Sequence, residues 1–170
     1  MGAKREWPKK KNALETFETA HRGIVKLMGH NRTTSTSELN KVGTKLFGKE
    51  WLGAHPSDKI KTPPSRMARS FAIYNLDSTF DKFGARNSGT HWVAAYSERG
   101  EDGKHKTWFY DSYGRPKSQI MPHIEATNTD TSDSPYDQSK TGIGSEMCGQ
   151  LSLAALVVGR EHGAEGFMHM

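Results

Sequence analysis

The chain has 170 residues, 34% of them hydrophobic, 25% charged and 9% aromatic, with a formal net charge of +5. That is apolar material for one compact domain, which excludes a chain disordered throughout. The longest apolar run, Leu151 to Val158 broken by Ser152, falls far short of the roughly 20 residues that cross a bilayer, which excludes a spanning helix.

Met1 to Arg5 leads into no apolar signal region, and Glu6 stands where a myristoylation motif needs Ser or Thr, so neither secretion nor lipidation is expected. Cys148 is the only cysteine; an internal disulfide is impossible and a reducing compartment is the simplest setting. Charge is uneven: residues 1–90 hold 17 Lys or Arg against 8 acids, and residues 91–170 hold 7 against 11. A basic front half favours an anionic partner such as DNA, although solvated lysines on helices have the same composition.

Residues 1–11 read as a basic flexible arm and 12–64 as a helical N-terminal part. Asn12 with Glu15 three residues on is an N-cap pattern, and Leu14, Phe17, His21, Ile24, Leu27 and Met28 recur on one helical face. Ser37 is expected to cap a second helix carrying Leu39, Val42, Leu46 and Phe47 up to Gly48. Lys49 to Pro64 shows no sustained period and is expected to be irregular. Phe71 to Tyr74, His91 to Tyr96 and Thr107 to Asp111 read as strands, the last two joined as an antiparallel hairpin by the polar Ser97 to Lys106. Ala126 to Asp137 reads as a polar linker. Beyond Cys148 the chain is apolar on all sides, as a buried helix requires, and Gly163 to Met170 shows no further element.

A lone cysteine is as often a small core residue as a nucleophile. Here Cys148 opens a helix, where unpaired amides and the helix dipole favour thiolate. Gly149 would leave room for a substrate backbone, and Gly142 to Ser145 are expected to be a flexible approach whose amides could point at a developing oxyanion. A nucleophilic thiol needs a base and a group that orients it. His91 begins the strand paired with the one ending in Asp111, so one hairpin supplies both. His21 falls on the core stripe of its helix; His30, His55, His105, His123, His162 and His169 read as loop or surface residues. With one cysteine and no paired histidines a zinc site is not expected. Asn128, Asp130, Asp133 and Asp137 lack the glycine and glutamate of a calcium loop, and there is no phosphate-binding glycine loop.

Phe71-Ala72-Ile73-Tyr74-Asn75-Leu76-Asp77, Gly89-Thr90-His91-Trp92-Val93-Ala94, Tyr110-Asp111-Ser112-Tyr113-Gly114 and Cys148-Gly149-Gln150, in this order, resemble the adenovirus-type cysteine proteases. Relatives of that type include capsid-maturation proteases of virophages and other DNA viruses and, distantly, the SUMO-specific proteases. The resemblance covers roughly residues 70–160, the catalytic core, and extends weakly to Phe47, Trp51, Leu52, Gly53 and Asp58.

The resemblance implies a single α+β domain over residues 1–170, papain-like or adenain-like. Its small, mostly antiparallel central sheet would be flanked by helices, with a buried helix carrying the nucleophile. His91 would be the general base, Asp111 its orienter and Cys148 the nucleophile. The Cys148 N–H and an upstream glutamine would hold the oxyanion. Gln138 is the residue available, though the family's glutamine sits closer to its cysteine. Trp92 would either shield the imidazolium or face the core. The implied substrate is a capsid or other virion precursor cut at small or Gly-containing sites, in the virion and infected cell. The implied protein is a monomer without metal or organic cofactor and without a membrane partner. DNA through the basic half, or a peptide, would be a non-covalent activator; disulfide-linked activation is excluded because Cys148 is the only thiol. The alternatives are a SUMO- or ubiquitin-like deconjugase, an acyltransferase using the same residues, and a basic DNA-binding protein with an inert cysteine.

Overall fold

The computed structural model describes residues 12–76, 91–113, 127–128 and 147–168. Its elements are α1 (Ala13–Met28), α2 (Thr36–Phe47), a 3-10 turn (Gly48–Glu50), β1 (Trp51–Pro56), β2 (Arg69–Asn75), β3 (Trp92–Arg99), β4 (His105–Tyr110), β5 (Thr127–Asn128) and α3 (Cys148–Met168). The architecture is α+β, as expected. No described helix is long and apolar enough to cross a membrane.

α1 starts where the sequence places it: the Asn12 side chain accepts from the Glu15 N–H at 2.8 Å. Phe17 and Ile24 are buried, but Leu14 is 37% and Leu27 45% exposed, so the helical stripe is wider than the face the core covers. α2 is capped by Ser35, not Ser37. Ser35 and Glu38 form a reciprocal capping box, which satisfies two orphan backbone donors and wins over the later serine.

The sheet order is β1-β2-β3-β4-β5. It is mixed, not mostly antiparallel: β2–β3 and β3–β4 pair antiparallel, while β1 runs parallel to β2 and β5 parallel to β4. Both parallel strands lie where an irregular segment or a linker was expected. β1 is short, and its register slips between Trp51 and Gly53, with Gly53 at φ 108°. That bulge breaks the two-residue alternation by which a strand is read.

Phe71, Ile73, Trp92, Ala94, Tyr96, Trp108 and Tyr110 face the main core with α1, α2 and α3. Ala72, Tyr74, Val93, Ala95 and Phe109 face the opposite side, alongside Leu52, Ile60 and Leu76. α3 is buried continuously from Cys148 to Gly159, as its uninterrupted apolar sequence demands. Close approach sets one of its glycines: a Cβ on Gly159 would stand 2.9 Å from the Tyr96 ring. The helix kinks at Gly163 (φ 69°) and runs on to Met168 with Phe167 fully buried, so a further element exists where none was expected. Glu98 makes it possible by accepting the Ala164 N–H at 2.9 Å just past the kink.

Gly43 admits the Trp51 indole, which would lie 2.3 Å from an added Cβ, stacks on Phe47 at 5.8 Å and donates to Asn40 at 3.1 Å. Gly43→Ala is expected to cost about 1–3 kcal/mol through overpacking, read as a lower urea midpoint at unchanged slope.

Candidate active site

β3 and β4 pair from Ala94↔Tyr110 outward to Arg99↔His105, so the residue before β3 and the residue after β4 emerge at the same end of the hairpin. Those residues are His91 and Asp111. The Nε2 of His91 lies 2.6 Å from Oδ1 of Asp111, with the histidine side chain 9% exposed and the aspartate 0%. Asp111 Oδ1 also accepts the Tyr113 N–H at 3.1 Å, and the His91 carbonyl accepts the Leu76 N–H at 2.9 Å. The Tyr113 ring flanks the imidazole, 5.0 Å between centroids at 54°.

Cys148, 3% exposed, is the first residue of α3 and faces the same hairpin end, where its Sγ accepts the Trp92 N–H at 3.4 Å. The structure thus brings His91, Asp111 and Cys148 together. Burial pushes the His91 ring toward its neutral form. The hydrogen bond to Asp111, the contact with Cys148 and the charges of both outweigh it and raise the ring to about 9. Its second nitrogen, Nδ1, is buried with no hydrogen-bond partner in the structure. Cys148 is nonetheless near enough to raise the ring's affinity for its proton.

Trp92 resolves toward the second of its alternatives. Its indole belongs to the core, 5% exposed, and its contact with the site is through its backbone. Gly149 does not open toward a substrate. A Cβ there would stand 2.0 Å from Thr34 Oγ1, so the glycine lets the loop before α2 seat against the first turn of α3. Gln150 ties the same loop down by donating to the Arg32 carbonyl at 2.7 Å. Gln138 and Gly142 to Ser145 lie outside the described residues, as do Asp130, Asp133, Asp137, His123 and His169.

The remaining histidines serve local roles. His21 sits on α1 with its pKa lowered by burial and by Arg22. His30 bonds Glu38, His55 the Leu52 carbonyl at 2.7 Å, and His105 the Met67 carbonyl at 2.7 Å. His55, His105 and His162 depart from the loop or surface reading: the first two stand half-buried in β1 and β4, and His162 is part of α3 and bonds Thr16 at 2.7 Å, linking α3 to α1. Among the described residues no group of three His, Cys, Asp or Glu is placed to hold a metal ion. Three contributors to the site had no signal of their own in the sequence. The Tyr113 and Trp92 amides are backbone groups, and Ser152, which donates to the Trp92 carbonyl at 3.2 Å, looks like any small residue in an apolar helix.

Compared with known proteins, the chain matches no family model and no curated sequence.

Because His91 binds its proton more tightly folded than unfolded, that proton stabilises the fold fully below about pH 6.5, and the contribution is lost as pH rises through about 9. Ring NMR is expected to show His91 titrating near pH 9. Asp111→Asn is expected to bring the midpoint down, because burial then opposes the charged ring without the carboxylate. An unchanged midpoint in that variant excludes the ion pair as the cause.

Proposed function

We propose that the chain is a cysteine endopeptidase of the adenovirus type, using Cys148 as nucleophile, His91 as base and Asp111 as orienter. The observation that carries this reading is the buried 2.6 Å contact between His91 and Asp111 beside the only thiol in the chain, which opens a helix. The order His, Asp, Cys along the chain, and a nucleophile helix packed on a sheet whose hairpin holds the other two, support the adenain-like arrangement within the α+β class.

The chemistry follows from the positions. His91 holds the proton taken from Cys148, and the thiolate adds to the scissile carbonyl carbon. The oxygen takes the electron pair, and the Cys148 N–H at the start of the helix stabilises it. Collapse of the adduct breaks the C–N bond, and the leaving amine takes the proton from His91. Water, deprotonated by His91, then attacks the thioester, releasing the acid and restoring the thiol. Asp111 keeps the ring in one orientation and favours its charged form throughout.

The substrate class comes from the resemblance: virion precursor proteins cut at small or Gly-containing sites inside infected cells and assembling particles. Fluorogenic peptides with a Gly-containing site are expected to be cleaved by the wild-type chain. Cys148→Ala and His91→Ala are expected to lower kcat/KM by about 10³-fold or more. Equal, background-level hydrolysis by wild type and Cys148→Ala, with and without added DNA, sinks the protease reading.

A further inference from the structure

The geometry points to Ser152 as a positioning residue for the Cys148 thiol, acting through the backbone of Trp92; this rests on Cys148 being the nucleophile proposed above. The argument starts from the ladder. The Leu76 N–H bonds the His91 carbonyl, so in the antiparallel alternation the next pair, Asn75↔Trp92, is a non-hydrogen-bonded one. The N–H and carbonyl of Trp92 therefore point away from β2, toward the β4 side. There the pairing has already ended at Ala94↔Tyr110, because Asp111 is held by His91 and Tyr113 and the chain turns away. Two buried backbone groups are left without a strand.

α3 supplies both partners. Cys148 and Ser152 are one helical turn apart and share a face. Sγ of Cys148 accepts the Trp92 N–H at 3.4 Å, and the Ser152 hydroxyl, 0% exposed, donates to the Trp92 carbonyl at 3.2 Å. The two bonds clamp one residue's backbone against one turn of helix. The N–H to sulfur bond is the weaker of the two while the sulfur is neutral and strengthens when it is charged. The Ser152 bond, which does not change with ionisation, holds the amide in line for it. It also fixes the distance between α3 and His91, the residue next to Trp92.

The experiment is the rate of iodoacetamide alkylation from pH 5 to pH 10, which reports one site because the chain has one thiol. Ser152→Ala is expected to react about 5-fold more slowly than wild type near pH 6.5, the loss of roughly one hydrogen bond, and to match it at pH 10, where any thiol is ionised. Ser152→Thr and Ser152→Val have the same shape and differ in the hydroxyl. Thr is expected to keep the wild-type profile and Val to follow Ala, which decides the matter if the Ala variant does not fold by circular dichroism. A Ser152→Ala profile equal to wild type, or faster at every pH as a loosened helix gives, overturns the role. With His91→Ala alongside, the two readings separate. Slowing by His91→Ala alone leaves the proposed nucleophile and removes Ser152; slowing by neither removes both.

Discussion

A carboxylate with no exposure to water needs compensation from its immediate surroundings, since its desolvation alone costs several kcal/mol. Asp111 obtains it from the His91 ring and the Tyr113 amide. Much of the local architecture follows from that requirement. The start of β3 and the end of β4 must stay in contact, the chain must turn after Tyr110 so that the Tyr113 amide comes back to Asp111, and β4 cannot continue beside Trp92. The first turn of α3 then occupies the vacated edge, which is how a thiol comes to lie beside the His91–Asp111 pair.

The supports behind the site are similarly specific. Arg69 grips Glu50 through Nε at 2.9 and 3.1 Å and donates to the Arg160 carbonyl at 2.9 Å, while Arg160 donates to the Leu46 carbonyl at 2.9 Å. Both guanidinium groups also lie over core phenylalanines, Arg69 on Phe71 and Arg160 on Phe47. These contacts join α2, the 3-10 turn, β2 and α3, so the helix bearing Cys148 is fixed just before its kink as well as at its first turn. Sites built on elements held at both ends keep their geometry better than sites on loops.

What could be read from the sequence was what local chemistry writes there. The Asn12 cap, the apolar runs of β2, β3 and β4, and the buried α3 each carry a signal within a few residues of where they act. That His91, Asp111 and Cys148 stand together was legible because a hairpin brings its ends together and the buried helix opens at the cysteine. β1 was not, because its bulge at Gly53 and half-buried ends erase the alternation. Gly149 was misread because its reason is Thr34, far earlier in the chain. Ser35 and Ser37 both suit a cap, and Glu38 decides between them only by standing three residues after the first. The amides of Trp92 and Tyr113 leave no trace in any side-chain pattern.

The connectivity of the sheet and α3 also sets the order in which His91, Asp111 and Cys148 come together. During synthesis the hairpin carrying His91 and Asp111 emerges first, and Cys148 follows at the head of a helix whose burial needs α1, α2 and the sheet already in place. A nascent chain therefore contains His91 and Asp111 before Cys148 has been made. Cys148 meets that pair only when α3 docks, so the packing of this helix against the sheet is also the step that completes the cluster.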